Sequence, residues 1–435
     1  MAMARRSGGG GATPQRGEGE EGLSHHLAES TLMPLAPSGS GHSKKTRRSG
    51  TLCHLARSAP PPLVLAESVC DEGVRRECHD KEEEGVREER RAGTRGEMTG
   101  VKKRYLQMNE DLLREHPEFL DPAAPSLPAR LASVAAAMPS LAAAAAAKAI
   151  AEWGRPAGDI THLVFSTSTS AQVPAIDLRI ASLLGLSDTV KRTTIAFQAC
   201  TGTSSAFRVA MDIAESNRVA RILVICADML SINGFHVPNE AHPAGIIAHA
   251  LFSDGAGAVI VGAEPQEPVE LPIFEMLSTS QVTIPGTEHV ASTQFTTSGI
   301  DYSLLPDELV ALIDRNVERC LDGALVPLGI AKLGWNNLFW VVHPGGPIIM
   351  DSLEAALKLE PEKLAASRQV LSEYGNMTGP TLIFVLDEVI RRHRQLDGDE
   401  EWGVMVSFGP GFTIEVMALH ACSSNKMNPG PKNAI

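Results

Sequence analysis

Aromatic residues are scarce in this 435-residue chain: 4 Trp, 3 Tyr and 12 Phe, or 4%. No basic-aromatic pattern for stacking bases is present, and the formal net charge is -13. Together these exclude nucleic acid as the main partner. No apolar run reaches the ~20 residues of a transmembrane helix. The nearest, Leu141 to Ile150, is alanine-rich, interrupted by Lys148 and closed by Gly154 and Pro156, and reads as a packed helix. The opening residues lack the apolar h-region of a secretory signal. Cysteines are few, seven in all, odd in number and widely spread. That pattern fits free thiols in a reducing compartment and predicts a cytoplasmic protein. Cys70 and the Cys78-His79 pair have no second pair at zinc-site spacing, so no metal is expected. Asp254-Gly-Ala-Gly and Gly409-Pro-Gly lack the spacing of phosphate-binding loops.

A hydrophobic content of 43% is enough for a large core, as two domains or one double-sized one. Residues 1–97 differ in kind from the rest. Gly, Arg, Glu, Ser and Pro dominate there, with a basic run at Lys44 to Arg48 and mixed charge from Lys81 to Arg91. This segment reads as a low-complexity, disordered extension. From Val101 onward strands and helices alternate. Helices are expected at Glu110 to Glu115, Ala129 to Trp153, Ile176 to Leu184, Leu309 to Leu321, from Ser352, and at Thr381 to Arg394. Strands are expected at His162 to Thr167, before Cys200, from Arg221, from Gly257, from Ile273, from Phe339, from Trp402 and from Thr413. Such alternation predicts a layered α/β fold.

The chemistry centres on Cys200. An apolar run ends there, and a helical pattern follows (Ala206, Val209, Ala210, Ile213, Ala214). A cysteine at such a turn meets free N–H groups and the positive end of the helix, which favour thiolate. Taken alone, it is more often a small buried hydrophobe. Its candidate partners lie downstream. His343 ends an apolar strand before Pro-Gly-Gly-Pro, and Asn376 sits in the glycine-flanked loop Tyr374-Gly-Asn-Met. A lone histidine or asparagine at those places is ordinarily a core or turn residue. Cys, His and Asn, each at the tip of an apolar segment, point to one site assembled across the fold.

Four motifs then carry a resemblance. Ala250-Leu-Phe-Ser-Asp-Gly-Ala-Gly, His343-Pro-Gly-Gly-Pro, Tyr374-Gly-Asn-Met and Ser407-Phe-Gly-Pro-Gly-Phe are similar to those of plant type III polyketide synthases, the chalcone, stilbene and curcuminoid synthase relatives. The resemblance runs from about Met98 to Cys422. It implies a thiolase-like fold, α-β-α-β-α, with an N-terminal half at 98–264 and a C-terminal half at 265–425. A tail follows at 426–435. The opening strand unit of relatives is not visible, so it is expected to be missing. The resemblance also implies a homodimer acting on malonyl-CoA and a starter acyl-CoA without a cofactor. Cys200, His343 and Asn376 are the implied catalytic set, and His343 is expected to lower the pKa of Cys200. Phe252, Asn233, Thr293, Tyr302, Thr378 and Val173 are the implied substrate-binding positions. Val173 falls where relatives place a residue reaching across the dimer. Arg91 and Arg95 sit near the implied CoA contacts. Several of these residues depart from the chalcone synthase pattern, and Ala199 stands where glycine is usual. Two other readings share the residues: a ketoacyl synthase of fatty-acid type, and a non-catalytic, dimer-forming or truncated relative.

Overall fold

The computed structural model describes residues 50–52, 99–237, 243–395 and 400–422. Its strands are β1 (Gly50–Leu52), β2 (His162–Thr167), β3 (Lys191–Ala196), β4 (Arg221–Met229), β5 (Asp254–Gly262), β6 (Phe274–Thr283), β7 (Ala291–Thr296), β8 (Gly299–Leu304), β9 (Phe339–Val342), β10 (Trp402–Gly409) and β11 (Thr413–Ala421). Nine of them form one sheet in the order β3-β2-β4-β5-β1-β6-β11-β10-β9, and β7 and β8 form a separate hairpin.

The order repeats. In the first half β2 runs parallel to β4, β4 antiparallel to β5, and β5 antiparallel to β1. In the second half β9 runs parallel to β10, β10 antiparallel to β11, and β11 antiparallel to β6. β1 thus fills in the first half the innermost place that β6 fills in the second, and the two pair antiparallel. This corrects the expectation that residues 1–97 bring no strand and that the opening strand is missing. The other described segments begin at residue 99, so Arg91, Arg95, the tail and the rest of the extension lie outside the described residues.

Burial sets the layers. One core packs the Leu127–Trp153 helix through Val134, Met138 and Ala142 onto β2, β4 and β5. A central core holds the Gly202–Ser216 and Gly379–Gln395 helices between the two half-sheets. A third packs the Pro306–Leu325 and Pro347–Leu357 helices on β9, β10 and β11. β4 and β5 are buried along their whole length, which explains their near-continuous apolar runs. The 27-residue Leu127–Trp153 helix is, by length and composition, apolar enough to cross a membrane, which the run-length reading overlooked. Here its alanine-rich face is packed in the core instead.

The observed elements bracket the sequence expectations closely. Differences lie where packing decides. The Pro347–Leu357 helix starts a turn earlier than expected, with Pro347 in its first turn. Helices at Leu230–Gly234, Pro243–Leu251 and Ala365–Tyr374, and the β7–β8 hairpin, were not expected.

Candidate active site

β3 ends at Ala196, and a 3-10 turn, Ala199–Thr201, leads into the Gly202–Ser216 helix. Cys200 sits in that turn at the helix N-terminus, where free backbone N–H groups face outward. The second central helix begins at Gly379, three residues after Asn376. The two helix starts lie against each other. A Cβ on Gly202 would stand 2.7 Å from the Ser166 hydroxyl oxygen and 3.8 Å from the Gly379 Cα, so glycine at 202 leaves the room that Ser166 takes up. Asn376 is held by backbone pairing to the Phe252 segment: its N–H donates to the Leu251 carbonyl (2.9 Å), and its carbonyl accepts from the Ser253 N–H (2.9 Å).

Two backbones beside the reactive groups are held in the left-handed region: Ala199 at φ 45° and Thr378 at φ 58°. A non-glycine residue adopts this at a cost of ~1 kcal/mol. Hydrogen bonds keep both in place. The Ala199 N–H donates to the Ser168 hydroxyl (2.7 Å), and the Thr378 N–H donates to Asn376 Oδ1 (2.8 Å). The Thr378 hydroxyl donates to Asp228, whose other oxygen accepts from the Ser168 N–H (2.6 Å). Asp228, the penultimate residue of β4, is buried, and burial pushes its carboxyl up to about 6. Sequence reading missed Asp228 and Ser168. The available signal was a carboxylate next to the end of an otherwise apolar strand.

Cys200 and Asn376 line a cavity of about 120 Å³. Phe252, Thr293, Tyr302 and Thr378 line it too, so four of the six expected substrate positions are brought together. Phe252 and Tyr302 stack with ring centroids 5.3 Å apart and planes 25° apart. Asn233 is fully buried and stands behind the wall, its amide donating to the Thr169 carbonyl. Val173 lies elsewhere, 99% exposed at the surface.

His343 follows β9 and is fully buried, its N–H donating to the Val406 carbonyl (2.9 Å). It stands next to Gly345, which lines the cavity and accepts from the Asn376 amide (3.3 Å). Among the described residues neither ring nitrogen of His343 has a hydrogen-bond partner.

The electrostatics correct one expectation. Burial pushes the Cys200 thiol up to about 12; Asp228 adds to this, while the Asn376 side chain, bonded to the sulfur, opposes it. Burial pushes His343 down to about 3. Each group taken singly is therefore neutral, and the helix end alone does not produce the thiolate.

Comparisons with known proteins identify the family. Two family models, described as chalcone and stilbene synthases, N-terminal domain and C-terminal domain, match residues 39–265 and 275–423. The first match begins well ahead of Met98, where the resemblance was expected to start, and takes in β1. A bisdemethoxycurcumin synthase from Oryza sativa subsp. japonica is 50% identical over 329 residues, covering 74% of this chain and 81% of that protein. The chain therefore belongs to the chalcone and stilbene synthase family and is a type III polyketide synthase, an acyltransferase whose substrates are CoA thioesters.

Proposed function

We propose that Cys200 carries the acyl chain, His343 takes and returns its proton, and Asn376 shares with His343 the task of holding the enolate. The observation that carries this is the convergence of Cys200 and Asn376 on one cavity wall, with both His343 nitrogens unpartnered behind it among the described residues. The Cys200 proton moves to His343, and the thiolate attacks the starter thioester carbonyl. The CoA thiolate leaves and recovers the proton. Malonyl-CoA then loses CO2, and the electron pair of the broken C–C bond becomes an enolate. His343 Nε2–H and the Asn376 amide donate to the enolate oxygen, stabilising charge where it develops. The enolate carbon attacks the Cys200 thioester, and the chain passes to the malonyl-derived unit, two carbons longer, as the thiolate is released.

The starter proposed is an aromatic acyl-CoA. The cavity is mainly apolar, a stacked aromatic pair forms part of its wall, and the 50% identical relative is named a bisdemethoxycurcumin synthase. Product masses from a panel of starters with malonyl-CoA check this. Products from fatty acyl-CoA starters alone contradict it.

The role of His343 has its own test. Because burial pushes a lone Cys200 thiol up to about 12, reactivity near neutral pH depends on the imidazole. Iodoacetamide should alkylate Cys200 of the intact protein at pH 7, and His343→Ala should slow this at least about tenfold. Equal rates in the two proteins refute the proton transfer.

The protein is proposed to work as a homodimer in the cytoplasm. β3 is an edge strand, Phe197 just after it is exposed, and Val173 and Leu183 are further exposed apolar residues of the same half. Cys200, Cys226, Cys320 and Cys422 are free thiols. A one-chain mass in sedimentation contradicts the dimer, and recovery of the protein outside the cytosolic fraction contradicts the location.

A further inference from the structure

The cavity wall opposite the chemistry carries an idle donor. Tyr302 is placed by the β7–β8 hairpin, with its ring stacked on Phe252. Its hydroxyl oxygen is buried, and among the described residues it has no hydrogen-bond partner. The hydroxyl reaches this place because residue 234 is glycine: a Cβ there would stand 2.3 Å from the Tyr302 oxygen. The neighbouring Asn233 Oδ1 is also buried and unpartnered among the described residues, its amide nitrogen being committed to Thr169. Buried Arg130 fixes this corner. It donates to the Ile232 carbonyl, to the Phe119 carbonyl (2.7 Å) and to the Ser126 hydroxyl (2.9 Å), and its charge acts on Tyr302. Burial pushes the phenol up, so it remains a neutral O–H donor.

A buried hydroxyl without a partner costs free energy. Phenylalanine would give the same ring stack without that cost. We propose that Tyr302 determines specificity in the polyketide reaction, its hydroxyl donating a hydrogen bond to a neutral oxygen of the acyl chain carried on Cys200. This rests on the assignment of Cys200 above. Two oxygens have the required chemistry: a hydroxyl on the starter's own ring, and a ketide carbonyl added by extension.

Tyr302→Phe separates them. It keeps the stack with Phe252 and removes no bond to a described residue, so its melting temperature should match or exceed that of the wild type. Single-turnover loading would be measured with 4-coumaroyl-CoA and cinnamoyl-CoA, which differ by one hydroxyl, followed by extension with malonyl-CoA. If the starter hydroxyl is the acceptor, loading of 4-coumaroyl falls about tenfold and that of cinnamoyl is unchanged. If a ketide carbonyl is the acceptor, both starters load normally and the step after the first condensation slows about tenfold with each. Loading and extension equal to wild type with both starters overturn the proposal. So does an equal loss of loading with both, or a lower melting temperature, which marks a structural role. Absence of any acyl adduct on wild-type Cys200 is a separate result: it overturns the parent assignment, and this inference with it.

Discussion

Cys200→Ala should abolish polyketide formation, by a factor on the order of 10⁴ or more, while leaving slow decarboxylation of malonyl-CoA. Among the described residues, Cys200 carries the only thiol that lines the cavity. Its loss removes both the covalent intermediate and the electrophile that the enolate attacks. Decarboxylation persists because it needs only donors at the thioester oxygen, and His343 and Asn376 remain. Cys200 lines the cavity and belongs to none of the three apolar cores, so the fold should survive the change. Product formation within tenfold of wild type would place the nucleophile elsewhere.

Asn376→Ala should lower condensation by roughly 10²–10³, the usual effect of removing one oxyanion donor. Starter loading should fall much less. It does not stay wholly intact, because the Asn376 amide also bonds the Cys200 sulfur and helps hold down its pKa. The distinction is between a donor needed as charge develops on the enolate and one that only tunes the thiol. Equal losses in loading and condensation would reduce Asn376 to a support for Cys200 and for the strained Thr378 backbone.

The layered scaffold was legible in the sequence wherever a periodic apolar pattern persisted. The Pro306–Leu325 helix and the fully buried strands β4 and β5 carry their burial openly. The shared cavity of Cys200 and Asn376 was legible because each follows an apolar element, and ends of such elements are where α/β folds gather their reacting groups. β1 was not legible. It is three residues in a polar segment, and its place is set by the space between β5 and β6 rather than by a pattern of its own. The β7–β8 hairpin was missed because Ala291 to Thr296 shows no clean alternation, yet it brings Tyr302 onto Phe252. The protonation state of the site was also out of reach. A helix N-terminus beside a cysteine reads as thiolate, and only the depth of Cys200 and His343 shows burial opposing it.

The most direct measurement of the central claim is the mass of the intact protein after brief exposure to an aromatic acyl-CoA, with peptide mapping of the adduct. The account predicts one acyl group on Cys200, which is discharged into a longer product when malonyl-CoA is added. An acyl group on Cys226, Cys320 or Cys422, or a Cys200 adduct that malonyl-CoA does not discharge, would contradict it.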